Sequence, residues 1–135
     1  MAASKYDFSI EQGTSFKLSL IYKDVSRNPI NITDWCARIV WKTNTNITQV
    51  FSSDNNDHSV YKFIIDGING KLTLLLPSAT TNSFNFKTAK YDLELRSPDD
   101  LYNGGGKYTT RILFGTINIV QRFSQSATNL ECNNE

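Results

Sequence analysis

The feature that most constrains this chain is an alternation of apolar and polar residues with period two, which returns almost from end to end. Successive side chains of an extended backbone point to opposite faces, so alternation of this kind marks strands with one face buried. In Phe16–Tyr22 the residues Phe16, Leu18, Leu20 and Tyr22 share one face, and Lys17, Ser19 and Ile21 share the other. Trp35–Trp41 places Trp35, Ala37, Ile39 and Trp41 together, with Arg38 and Lys42 opposite. Lys71–Leu76 turns Leu72, Leu74 and Leu76 inward, and Tyr91–Arg96 turns Tyr91, Leu93 and Leu95 inward against Asp92, Glu94 and Arg96. Ile47–Phe51 reads as a short edge strand, and Val60–Ile65 resumes strand character.

Turn formers punctuate these runs about every ten residues, a spacing typical of sandwiches and barrels. They include Ser26, Asn28 and Pro29 in one loop, Asp66-Gly-Ile-Asn-Gly70 in another and Asn103-Gly-Gly-Gly106 in a third. Pro77–Phe84 breaks the alternation; Pro77 suits a first helical turn and Ser78 or Thr80 can cap it, which predicts one short helical crossover. Along Tyr108–Val120 the apolar set contains Ile112 and Phe114 before Gly115 but Ile117 and Ile119 after it, a change of phase that predicts a β-bulge at Gly115. The expected fold is all-β: an immunoglobulin-like sandwich of seven to nine antiparallel strands with one short helical crossover. A length of 135 residues leaves room for one domain. Residues 1–123 form the sandwich in this reading, and residues 124–135 a polar C-terminal tail.

Composition narrows the chemistry. The 14 Lys and Arg nearly cancel the 13 Asp and Glu, so net charge supplies no footprint for nucleic acid or an anionic membrane. Apolar runs stay far below the ~20 residues of a membrane span, and the opening Met1–Asp7 lacks the apolar core of a secretory signal. Folding in the cytoplasm of the producing cell is therefore expected. Cys36 and Cys132 are too few for a zinc site; both are expected reduced, with Cys36 a small buried hydrophobe. His58, the sole histidine, lies in a polar loop and reads as a solvated side chain. Asp54, Asn56 and Asp57 could offer oxygen ligands to calcium, but the EF-hand spacing fails and an ordinary polar loop is the better reading. Gly104-Gly-Gly-Lys107 lacks the strand-to-helix context of a phosphate loop, and no nucleophile elbow occurs. The sequence thus supplies no catalytic residue, no cofactor-binding residue and no metal ligand, and the chain is not expected to be an enzyme.

Several stretches, in order, resemble a family of small immunoglobulin-like virion proteins of tailed bacteriophages. They are Tyr6-Asp-Phe-Ser-Ile-Glu-Gln-Gly13, the strand Phe16–Tyr22 with Lys23-Asp24, and Asn28-Pro-Ile-Asn-Ile-Thr-Asp-Trp-Cys-Ala-Arg38. Gly70-Lys-Leu-Thr-Leu74, Lys90-Tyr-Asp-Leu-Glu-Leu95 and Thr110-Arg-Ile-Leu-Phe-Gly-Thr-Ile-Asn-Ile119 complete the set. The chain departs from the pattern at Asp34, where the family usually has Gly, and in its Asn-rich ending beyond Phe123. The resemblance implies a place in the neck, collar or upper tail of a virion, or at the attachment point of side fibres, and no enzymatic activity.

Two functional classes follow as expectations. The first is a structural protein, an oligomeric ring, collar or fibre adaptor whose partners are copies of itself and other virion proteins, with no nucleic acid and no membrane. Its candidate interface residues are Tyr6 and Phe8 on the first strand, Ile47 and Phe51 on the exposed edge strand, and Phe123 in the tail; each of them fits a core role equally well. The second is a sandwich that recognises carbohydrate or a host receptor, which needs loop aromatics; Tyr102 and Tyr108 are the ones on offer.

Overall fold

The computed structural model describes residues 3–54, 56–57, 60–100 and 107–121. Among these residues it is an all-β sandwich of nine strands and one short helix: β1 (Ser4–Lys5), β2 (Phe8–Glu11), β3 (Phe16–Ile21), β4 (Cys36–Thr43), β5 (Thr48–Ser52), β6 (Phe63–Asp66), β7 (Lys71–Leu76), α1 (Ser78–Asn82), β8 (Thr88–Asp100) and β9 (Lys107–Val120). The larger sheet runs β1-β9-β8-β4-β5, with β2 also on β9, and the smaller runs β3-β7-β6. This is the strand order of an immunoglobulin-like sandwich, with the chain's opening strands placed beside its last. All pairings between strands are antiparallel except those of β1 and β2, which lie parallel to β9.

The inward faces follow the alternation. Ala37, Ile39 and Trp41 of β4, Leu72, Leu74 and Leu76 of β7, and Tyr91, Leu93 and Leu95 of β8 are all buried in one core. At one end Trp41 is the hub of an aromatic group, its ring 5.0 Å from Phe51 and 5.5 Å from Phe84 between centroids. Its indole N–H donates to Gln49 Oε1 at 2.9 Å, so the ring's polar edge is satisfied while its body stays dry.

The crossover from β7 to β8 is α1, as expected, but its cap differs. Pro77 occupies the N-cap position and no side chain caps the helix. The Pro77 carbonyl receives the amides of Thr80 and Thr81 at 2.9 and 3.1 Å. Thr81 instead anchors the helix to the rest of the fold: its hydroxyl, fully buried, donates to Thr14 O at 2.7 Å and accepts from Gly13 N at 3.1 Å.

Two further expectations need correction. The bulge lies upstream of Gly115: Leu93 pairs with Leu113 and Glu94 with Arg111, which leaves Ile112 as the extra residue. The phase therefore changes between Ile112 and Leu113, and Phe114 faces outward, where the Arg111 guanidinium sits 4.9 Å from its ring centroid. Cys36 is exposed. It stands at an even-numbered position of β4, whose odd-numbered residues take the core, so the alternation itself turns it out.

Gly115 has a different role from a bulge. A Cβ there would meet the Tyr6 carbonyl oxygen and lie 2.7 Å from Asp7 Oδ1, because the short link between β1 and β2 crosses β9 at this point. Tyr6 N donates to Phe114 O at 2.8 Å, Thr116 N donates to Asp7 Oδ1 at 2.8 Å, and the Tyr91 hydroxyl donates to the Tyr6 carbonyl.

Candidate interaction surface

Strand register decides which outward residues become neighbours. Across the larger sheet, Thr48, Lys42, Lys90 and Thr116 form one transverse row. The next row is Val50, Val40, Asp92, Phe114 and, on β1, Lys5. A third consists of Ser52, Arg38, Glu94 and Arg111. The outer face of this sheet is thus an interrupted apolar stripe (Val40, Val50, Phe114) between two cationic rows. Lys5, Val40, Lys42, Lys90 and Phe114 line an open groove of about 600 Å³ on it.

The two carboxylates on the central strands of this face, Asp92 and Glu94, are already engaged. Arg38 meets Glu94 at 2.8 Å and Arg111 meets Asp92 at 3.0 Å, both in solvent contact. Lys42 and Lys90 sit directly opposite each other on adjacent strands. Like charges so placed repel, and no carboxylate among the described residues relieves them.

The smaller sheet presents another partly apolar outer face. Ile21, Ile64 and Leu75 are exposed on it, with Lys17 and Lys71 alongside and Asp66 directly opposite Lys71. Ser19 and Thr73 bond across its centre at 3.2 Å.

Of the interface residues expected from sequence, Tyr6 and Ile47 are about half exposed, at 46% and 51%. Phe8 and Phe51 are in the core, at 8% and 6%, and are withdrawn as surface residues. The reason is packing: Phe8 lies between Phe16 and Tyr91, with centroids 5.3 and 5.1 Å away, and Phe51 packs on Trp41. Tyr6 stacks on the exposed side of Phe8 at 5.9 Å, whereas Ile47 stands at the turn before β5. Phe123, Cys132, His58, Tyr102 and the tail 124–135 lie outside the described residues.

Among the described residues no group of three or more His, Cys, Asp or Glu side chains could hold a metal ion. Asp54, which had a calcium reading, accepts the Asn56 amide at 3.0 Å and so does the work of a turn. The two perturbed groups are phenols: burial, then the nearby Asp7 charge, raises Tyr91 well above the usual tyrosine value, and burial, then Tyr108, raises Tyr22. Both stay neutral at ordinary pH. Tyr108 packs edge-on against Trp35 with centroids 6.1 Å apart, so it is half-buried and not a free loop aromatic. No described helix is long and apolar enough to cross a membrane.

Among the described residues, fold and surface define a two-sheet β-sandwich with a partly apolar outer face on each sheet. Comparison with protein-family models and with curated proteins finds no match to this chain.

Proposed function

We propose that this chain is a non-enzymatic structural subunit of a tailed-bacteriophage virion, an oligomeric collar, neck or upper-tail component of the kind found in T5-like siphophages, which anchors side fibres. The ordered resemblance over residues 6–120 supplies the virion part of this reading. The observation that carries the contact part is the outer face of the larger sheet, where the exposed Val50 and the half-buried Val40 and Phe114 lie between lysine and arginine rows. An apolar centre with a charged rim is how protein interfaces are built. The side of β5 away from β4 is covered at Ser52 by the backbone of Val60 and Lys62; the rest of that edge can be extended by a neighbouring copy, and ring closure is one way to satisfy such edges.

The test is assembly. Light scattering of the purified chain, alone and mixed with other virion proteins, gives a defined oligomer, and mass spectrometry detects the chain in purified particles. A persistent monomer that is missing from particles refutes the reading. Glycan-array binding by that monomer would establish a carbohydrate-recognition module in its place.

A further inference from the structure

We propose that the outer face of the larger sheet docks a different protein, one whose contact surface has an apolar centre flanked by carboxylates. This goes beyond the structural-subunit reading, because it separates the surface that holds a foreign partner from the edges that hold sibling copies.

The argument is one of charge. The chain as a whole is nearly neutral, yet this face gathers Lys5, Arg38, Lys42, Lys90, Arg96 and Arg111, with Asp92 and Glu94 on its strands and Asp34 and Asp54 beside Arg38 and Arg96 at one end. Asp92 and Glu94 are spent on Arg111 and Arg38, and the groove lined by Lys5, Lys42 and Lys90 has Asp92 as its one carboxylate, so these three lysines have no ion-pair partner among the described residues. The facing pair Lys42 and Lys90 is the focus: an anion between them removes a repulsion that the free chain carries.

A second copy does not supply that anion through either sheet face. Face to face, the larger sheet sets lysine against lysine. The outer face of the smaller sheet carries Lys17 and Lys71 with Asp66 already opposite Lys71, so it too is cationic. Nucleic acid fits less well than protein. Val40 and Val50 are aliphatic and offer no stacking platform, and the one aromatic, Phe114, already lies against the Arg111 guanidinium. Aliphatic side chains framed by cations suit a protein surface with apolar residues inside a carboxylate rim.

The experiment titrates the full chain with a short soluble peptide of alternating Glu and Val, and separately with a thymidine oligonucleotide of equal charge, by fluorescence anisotropy. The expected result is that the peptide binds more tightly than the oligonucleotide, and that Lys42→Glu with Lys90→Glu weakens the peptide by about tenfold or more, equivalent to ~1.4 kcal/mol. Phe114→Ser should weaken it while leaving its salt dependence in place. Light scattering of the same variants reads self-assembly, which should be unchanged. The proposal is overturned if the peptide does not bind, if it binds the charge-reversed variant equally well, or if the oligonucleotide binds more tightly. Loss of self-assembly in the charge-reversed variant overturns it too, since the face would then belong to sibling copies. Thermal unfolding of each variant confirms that it is folded, and Lys42→Gln with Lys90→Gln, which adds no new charge, should fall between the two extremes.

Discussion

Replacing Gly115 with Ala is the sharpest test of how the chain's opening strands are held. The new methyl group would overlap the Tyr6 carbonyl oxygen and sit 2.7 Å from Asp7 Oδ1, and the first of these atoms is backbone that cannot rotate away. The Tyr6–Asp7 link must then lift off β9. Lifting it breaks the Tyr6 N bond to Phe114 O, the Thr116 N bond to the Asp7 carboxylate and the Tyr91 hydroxyl's bond to Tyr6 O. Net losses run about 0.5–1.5 kcal/mol for a neutral hydrogen bond and about 1.5–3 for one to a charged group. Because Tyr91 is almost fully buried, its hydroxyl would also lose its partner away from water. We expect a total of ~3–5 kcal/mol, which for a chain of this size lowers Tm by roughly 10–20 °C. Urea unfolding followed by circular dichroism and by tyrosine fluorescence measures it. Asp7→Ala should cost about 1.5–3 kcal/mol and Tyr91→Phe about 0.5–1.5 kcal/mol, and both should add little on top of Gly115→Ala, since all three report one contact. A Gly115→Ala cost below about 1 kcal/mol, or full additivity with Asp7→Ala, would refute the crossing as the reason for the glycine.

Lys42→Glu should stabilise the fold by ~0.5–1 kcal/mol, because it converts the repulsion with Lys90 into a cross-strand attraction; denaturant titration should show the gain shrink in molar salt. Asp34 holds a left-handed backbone with φ 66°, so Asp34→Gly should raise stability by up to ~1 kcal/mol in the same assay, and Asp34→Val should lower it. Trp41→Ala, which empties the hub of the aromatic group, should cost ~3–5 kcal/mol by chemical denaturation. The phenols of Tyr91 and Tyr22 ionise later in the folded chain than in the unfolded one. Their contribution to stability is therefore complete below pH ~10 and is lost as pH rises above it; Tyr91→Phe should flatten that alkaline decline in a pH series of unfolding midpoints.

Alternation alone assigned the inward residues of β3, β4, β7 and β8, because the face on which a side chain lies is a local property of an extended backbone. The same rule would have placed Cys36 outside, since its neighbours Trp35 and Ala37 point in; the general preference of cysteine for burial was the weaker guide. The bulge was legible as a change of phase but not at its true residue. Phe114 reads as apolar and therefore inward, whereas in the fold its face is sheltered by Arg111 on the outer surface. Gly115 drew notice for the wrong reason, because what it makes room for is Tyr6 and Asp7, more than a hundred residues earlier in the chain.

What the sequence by itself determined is most of the strands, the two-layer class and the greasy side of β3, β4, β7 and β8. What only the tertiary structure decided is who stands beside whom. Lys42 and Lys90 are each an ordinary outward lysine until β4 and β8 are paired in one register, and Phe8 and Phe51 are each an aromatic on a candidate edge until the opposite sheet closes over them. A near-zero net charge conceals a cationic face for the same reason. Summing charges along a chain discards position, and position across a sheet is set by pairings between segments far apart in sequence.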